Sequence, residues 1–154
     1  MTVGTKVIEK VITIAARPET VFRLLTDANE WVRWKGKIAQ LEPRPGGIFH
    51  VDFQNDKDVV DGRFVEVIPS RRVVFTWGWQ GSPAVSPGSS TVEIDLEPDG
   101  EGTRLRLVHR GLPEGSLASH TEGWDYFLPR LTDVAEGRDV GSDSAHHTTA
   151  TTQR

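Results

Sequence analysis

The chain has no cysteine, and Met1 is its only methionine. Without cysteine there is no disulfide framework, no thiolate nucleophile and no cysteine-based metal site. Basic residues are in deficit too: 18 Lys and Arg stand against 22 Asp and Glu, a formal net charge of -4. No basic stripe interleaved with aromatics offsets that balance, so no nucleic-acid partner is expected. No apolar run approaches the roughly 20 residues of a membrane helix, and no membrane insertion is expected. Met1 to Lys6 show no basic stretch leading into an apolar one, so no signal peptide is read there and a cytoplasmic protein is the expectation. Nucleophile elbows, phosphate-binding glycine loops and His-Glu-x-x-His are all missing. Neither a cofactor nor a metal site is expected, and His146-His147 is read as an incidental pair.

What the chain does have is aromatic bulk. Five tryptophans and six phenylalanines sit in 154 residues, a length suited to one core. Aromatics bury large areas, so they fill a core or line a cavity equally well.

Val7, Ile8, Val11, Ile12 and Ile14 form a β-branched first segment ending at Arg17-Pro18, which predicts a strand. Pro18 suits the first position of a helix, Glu19 complements its positive end, and Val21, Phe22, Leu24 and Leu25 form its apolar face. Asp27-Ala28-Asn29 ends it, and a second short helix carries Trp31 and Trp34 one turn apart. From Lys37 the period becomes two: Phe49, Val51 and Phe53 alternate with polar residues, and Asn55 to Asp58 read as a polar hairpin loop. Strands follow over Val59 to Ile68, around Val73 to Trp79, over Val92 to Leu96 and over Leu105 to His109. Gly81 to Ser90 is a Gly-, Ser- and Pro-rich loop, a candidate mobile lip. After Pro113 the period returns to 3.6, with Leu117, His120, Trp124, Phe127, Leu128, Leu131 and Val134 on one face. Ser116 is the candidate N-cap, and Pro129 is expected to kink the helix.

The order is thus strand, two short helices, about six more strands and one long helix. A sheet with one apolar face must be covered, and only the last helix is long enough. The expected fold is α+β: a curved antiparallel sheet of six to seven strands wrapped around a long C-terminal helix. The domain is expected over residues 1–136, with 137–154 a disordered polar tail.

One set of short segments runs in order along the chain: Ala16 to Phe22, the tryptophans after Asp27, Gly46-Gly47-Ile48-Phe49, Gly62, and Glu66-Val67-Ile68-Pro69. Val74 to Trp77, Gly102 to Leu105, His109 to Leu112, and His120 with Gly123-Trp124 complete the set. In these residues the sequence resembles the family named for the activator of the heat-shock-protein-ninety ATPase, an AHSA-type branch of the START and birch-pollen-allergen superfamily. The match spans roughly residues 6 to 136 and implies the helix-grip fold. Members of the superfamily bind lipids, sterols, polyketides and other apolar molecules; some cyclise polyketides, and some protect producer cells from a toxic natural product. Fold analogy does not choose among these roles.

Three functions follow as expectations. The first is binding of a small hydrophobic molecule, polycyclic or aromatic, for transport, sequestration or natural-product resistance. The second is a polyketide cyclase-like acid/base enzyme without a cofactor. The third is a protein-interaction or co-chaperone-like module acting through the outer sheet face; a homodimer suits all three. His109 and His120 are candidate general bases or ligand contacts, since strand parity and helical spacing turn both inward. Glu66 shares a strand side with Phe64 and Ile68 and is a candidate carboxylate. Trp31, Trp34, Phe49, Phe53, Phe75, Trp77, Trp79, Trp124, Phe127 and Leu128 are the expected ligand-binding surface, which suits flat rings better than a flexible acyl chain.

Overall fold

The computed structural model describes residues 7–53, 58–138 and 140. Met1 to Lys6, most of the expected hairpin loop at Asn55 to Asp58, and most of the expected tail, with His146-His147, lie outside the described residues.

The elements follow the hydrophobic periods of the chain. Strand β1 (Ile8–Ile14) leads into helix α1 (Pro18–Thr26), with Pro18 in its first turn and Glu19 at its positive end. Asp27 closes α1 and caps α2 (Ala28–Trp31), accepting from the amides of Asn29 and Glu30 at 2.9 and 3.2 Å. Helix α2 ends at Trp31, so Trp34 sits in the turn beyond it rather than on the helix. Strands β2 (Ile38–Leu41), β3 (Ile48–Asp52), β4 (Val59–Ile68), β5 (Arg72–Trp77), β6 (Ser90–Asp99) and β7 (Gly102–Arg110) then form a meander. All pair antiparallel in the order β1-β7-β6-β5-β4-β3-β2, so the last strand returns to the first. A single 3-10 turn over Glu114–Ser116 leads into α3 (Leu117–Ala135).

One row of the register positions the site. Phe64 faces Phe75, Phe75 faces Val92, Val92 faces His109 and His109 faces Ile8, all buried. Against this inner face α3 lays His120, Trp124, Phe127, Leu128, Leu131 and Val134, the face its 3.6-residue period predicts. The helix runs through Pro129 to Ala135, and Ser116 holds the N-cap position without a side-chain capping bond.

The aromatics divide into two groups. Trp31, Trp34, Phe49, Phe64 and Phe75 are a close-packed cluster under α2; Phe49 and Phe75 stack with centroids 4.0 Å apart, and Trp34 Nε1 donates to the Leu24 carbonyl at 2.9 Å. Phe53, Trp77, Trp79, Trp124 and Phe127 form the second group, at the N-terminal half of α3.

The outer face of the sheet is polar. Arg72 bridges Glu66 and Asp95, Arg110 reaches Glu93, and Arg106 reaches Glu9. Of the exposed large apolar residues, Val7 precedes β1, and Val11, Ile38, Val65 and Ile68 are divided among β1, β2 and β4, of which β1 and β2 are opposite sheet edges.

Candidate functional site

Between the inner sheet face and α3 lies a cavity of about 40 Å³, room for a few waters and not for a fused ring system. Its walls are Phe53, Trp77 and Trp79 from the sheet and Ser119, His120, Gly123, Trp124 and Phe127 from α3. Lys35 and Asp58 also line it, 4% and 1% exposed.

Lys35 was not among the expected site residues, because an isolated lysine reads as solvated surface. The turn after α2 carries it inward: its amide bonds to the Trp31 carbonyl, and Gly36 follows at a φ of +80° that favours glycine. Its Nζ lies 3.5 Å from the ring centre of Phe127 and 5.1 to 5.3 Å from those of Trp124, Trp77 and Phe53. An ammonium so placed is attracted to each ring face.

The two histidines are held in opposite tautomers. An indole N–H can only donate, so His109 Nδ1, which meets Trp124 Nε1 at 3.1 Å, must be unprotonated. The proton then sits on Nε2 and is donated to Ser90 Oγ at 2.9 Å, while the Ser90 hydroxyl donates to the Trp77 carbonyl at 2.8 Å. In His120, Nε2 accepts from Trp79 Nε1 at 2.9 Å, so Nδ1 carries the proton and donates to the Ser116 carbonyl at 2.9 Å. Burial pushes the His109 pKa well below the usual histidine value, with His120 and Lys35 adding to the effect. Burial likewise lowers that of His120; the Ser116 carbonyl opposes the shift and Lys35 adds to it. Both rings are therefore neutral, and all four ring nitrogens are engaged.

The structure does not bring Glu66 to this site. Strict alternation would put it on the side of Phe64, but a β-bulge shifts the register between Phe64 and Glu66. Glu66 therefore pairs opposite Val74 on the outer face and accepts from Arg72 Nε at 2.9 Å. Trp31, Trp34, Phe49, Phe75 and Leu128 are buried core outside the cavity wall, while Phe53, Trp77, Trp79, His120, Trp124 and Phe127 line it. His109 stands one residue behind it, bonded to Trp124.

Trp79 and His120 also face a second space. On their other side Pro83, Ala84, Val85 and Pro113 form an outer groove of about 570 Å³, within the roughly 300–1,000 Å³ typical of small-molecule sites. The loop that forms it, read from sequence as a mobile lip, is pinned: Val85 is buried, and its carbonyl accepts from the Trp79 amide at 2.7 Å.

A curved seven-stranded antiparallel sheet gripping one long helix, with a small polar-spotted cavity between them, defines the helix-grip class. Residues 15–136 match the family described as activator of Hsp90 ATPase homolog 1-like protein, and the chain belongs to that family. It is 46% identical to the AHSA1-like protein of Rhizobium etli, over 90% of this chain and 87% of that one, with a TM-score of 0.72. DynU16, a protein of the dynemicin biosynthetic locus, is 26% identical over 85% of this chain and 47% of its own, with a TM-score of 0.73. The Aha1 dimer of Colwellia psychrerythraea shares the fold at 22% identity, over 86% of this chain and 97% of that one, with a TM-score of 0.75. No curated protein matches the sequence. Among the described residues no helix is long and apolar enough to cross a membrane, and no acidic, histidine or cysteine cluster has metal-ligand geometry.

Proposed function

We propose that this protein binds one small apolar molecule with a flat ring system between the sheet and α3, as a carrier or sequestering protein. The observation that carries this reading is Gly123. A glycine inside a helix costs about 1 kcal/mol relative to alanine. Here it lines the cavity, and a Cβ built on it would meet nothing within 4 Å. Helix stability is given up at the one point of α3 where a missing side chain enlarges the aromatic-walled space. The cavity is small, so a ring system enters by displacing side chains such as Phe127 and Lys35. DynU16 belongs to a biosynthetic locus, that of dynemicin, which supports a natural-product ligand here.

The enzyme reading ranks second. A general base needs an available lone pair, and both acceptor nitrogens of His109 and His120 are occupied by indole N–H groups. An interaction module working through the outer sheet face ranks third, since that face is laced with cross-strand ion pairs and its apolar residues are scattered.

The test is native mass spectrometry of protein purified from its own host, with calorimetric titration against naphthalene- and anthracene-sized compounds. Saturable binding that Gly123→Leu abolishes, while the fold is kept, supports the cavity. Binding that is indifferent to Gly123→Leu places the ligand elsewhere and ends this reading.

A further inference from the structure

The cavity wall sets a polar requirement on its ligand, an inference that rests on the ligand-binding reading above. Of the five indole N–H groups, three donate within the protein: Trp34 to the Leu24 carbonyl, Trp79 to His120 and Trp124 to His109, at 2.9 to 3.1 Å. The Nε1 atoms of Trp31 and Trp77 are buried and meet no hydrogen-bond partner among the described residues. Trp31 belongs to the close-packed cluster under α2, outside the cavity wall. Trp77 is part of that wall.

A buried donor without a partner is costly, because its bond to water is lost on folding and nothing replaces it. A phenylalanine at position 77 would supply an aromatic wall without that cost. The Lys35 ammonium lies 5.2 Å from the Trp77 ring centre, so a ring system that displaces Lys35 comes to rest beside this indole. Lys35 and Asp58 have interactions of their own within the protein, and the requirement set by Trp77 does not depend on them.

We infer that the ligand's ring system carries a carbonyl, as in an aryl ketone or a quinone, whose oxygen accepts from Trp77 Nε1 while the ring packs against Phe53 and Trp124. A plain hydrocarbon leaves the indole N–H unpaired in the complex as well. A hydroxyl also accepts, but it brings a proton of its own, and the imidazole acceptor of the wall, His120 Nε2, is already taken by Trp79. A carbonyl brings no proton. The hydrogen bond orients the ligand, and burial of its ring supplies the driving force.

The experiment is calorimetric titration of the full chain with three probes of one skeleton and similar shape: 2-acetylnaphthalene, 2-isopropenylnaphthalene and 1-(2-naphthyl)ethanol. The ketone loses its own hydration on entering, so the quantity read is the ratio of its Kd to that of the isopropenyl hydrocarbon, in the wild-type chain and in Trp77→Phe. Trp77→Phe is expected to weaken the ketone by about tenfold relative to the hydrocarbon, the size of one neutral hydrogen bond. The wild-type chain is expected to bind the ketone more tightly than the alcohol. An unchanged ketone-to-hydrocarbon ratio in Trp77→Phe, or binding of the hydrocarbon alone, overturns the hydrogen bond and leaves the apolar cavity standing. Tighter binding of the alcohol than of the ketone overturns the carbonyl. Failure of all three to bind the wild-type chain sinks the ligand-binding reading itself. If Trp77→Phe does not fold, as judged by circular dichroism, NMR of the wild-type chain decides. The Trp77 indole proton should then shift downfield with the ketone and not with the hydrocarbon, and equal shifts overturn the bond.

Discussion

The indole N–H of Trp79 donates to Nε2 of His120 across 2.9 Å, tying the end of the sheet to the first turns of α3. The two residues are 7% and 8% exposed, and together they form the wall shared by the inner cavity and the outer groove. The bond is a direct side-chain tie between the two layers that enclose the cavity. It also holds His120 in its neutral tautomer, since a protonated ring could not accept from the indole.

Replacing Trp79 by Phe removes that donor and leaves a buried imidazole nitrogen unsatisfied. Stability in urea should fall by about 1–3 kcal/mol. The His120 ring, freed to take a proton, should titrate at a higher pH than in the wild-type protein, as followed by NMR of its ring protons. An unchanged His120 titration would mean that the indole bond does not hold the tautomer.

Acid should weaken the fold through the histidines. Both pKa values are lowered in the folded chain, so below about pH 6.5 the unfolded chain binds protons that the folded one refuses. Stability is therefore full above that pH and falls as pH drops, with a slope of up to about 1.4 kcal/mol per pH unit for each ring. Denaturation midpoints between pH 7.5 and 5 check the sign (roughly the window where histidines normally titrate). In His120→Gln the slope should be roughly halved, because one proton uptake is gone.

Gly123→Ala should stabilise the protein by up to about 1 kcal/mol, because a helix propensity cost is removed and the new methyl group meets open space. A thermal melt reads this directly. A loss of stability instead would show that the space beside Gly123 closes up in solution.

Gly78→Ala should do the opposite. A Cβ there would collide with the Ser86 backbone, at the point where the loop folds back on the sheet. The expected cost is about 1–3 kcal/mol, with loosened hydrogen exchange around Val85 as the accompanying sign.

On the outer face, Glu66→Gln should leave ligand binding unchanged and cost no more than about 1 kcal/mol, since its partner Arg72 keeps Asp95 and the site is partly solvated. A binding defect in this variant would restore the carboxylate to the functional account.

Much of the architecture is legible from periodicity. The apolar residues of α3 recur at three- and four-residue steps and all pack on the sheet, and the parity of Val92 and Ile94 predicts the buried side of β6. Parity succeeds for His109 and fails for Glu66, and the difference is one residue: the bulge after Phe64 inverts the faces of β4 beyond it, and nothing in Phe64-Val65-Glu66 marks it. The aromatics show a second limit. Trp31, Trp34, Phe49 and Phe75 have the same composition signal as Trp77, Trp79 and Phe127, yet the first group is packed solid and the second surrounds the cavity.

Sequence by itself determined the order of elements, the apolar faces of α1 and α3, and the aromatic character of the interior. Those depend on local period and on hydrophobic burial, which act over a few residues at a time. Only the tertiary structure decided that Lys35 and Asp58 are inside, that each histidine is locked by a tryptophan from another element, and that the cavity is small. Those facts depend on where a turn, a strand end and a helix meet. Ring faces from three separate segments surround the buried Lys35 ammonium, an arrangement that no local pattern in the sequence displays.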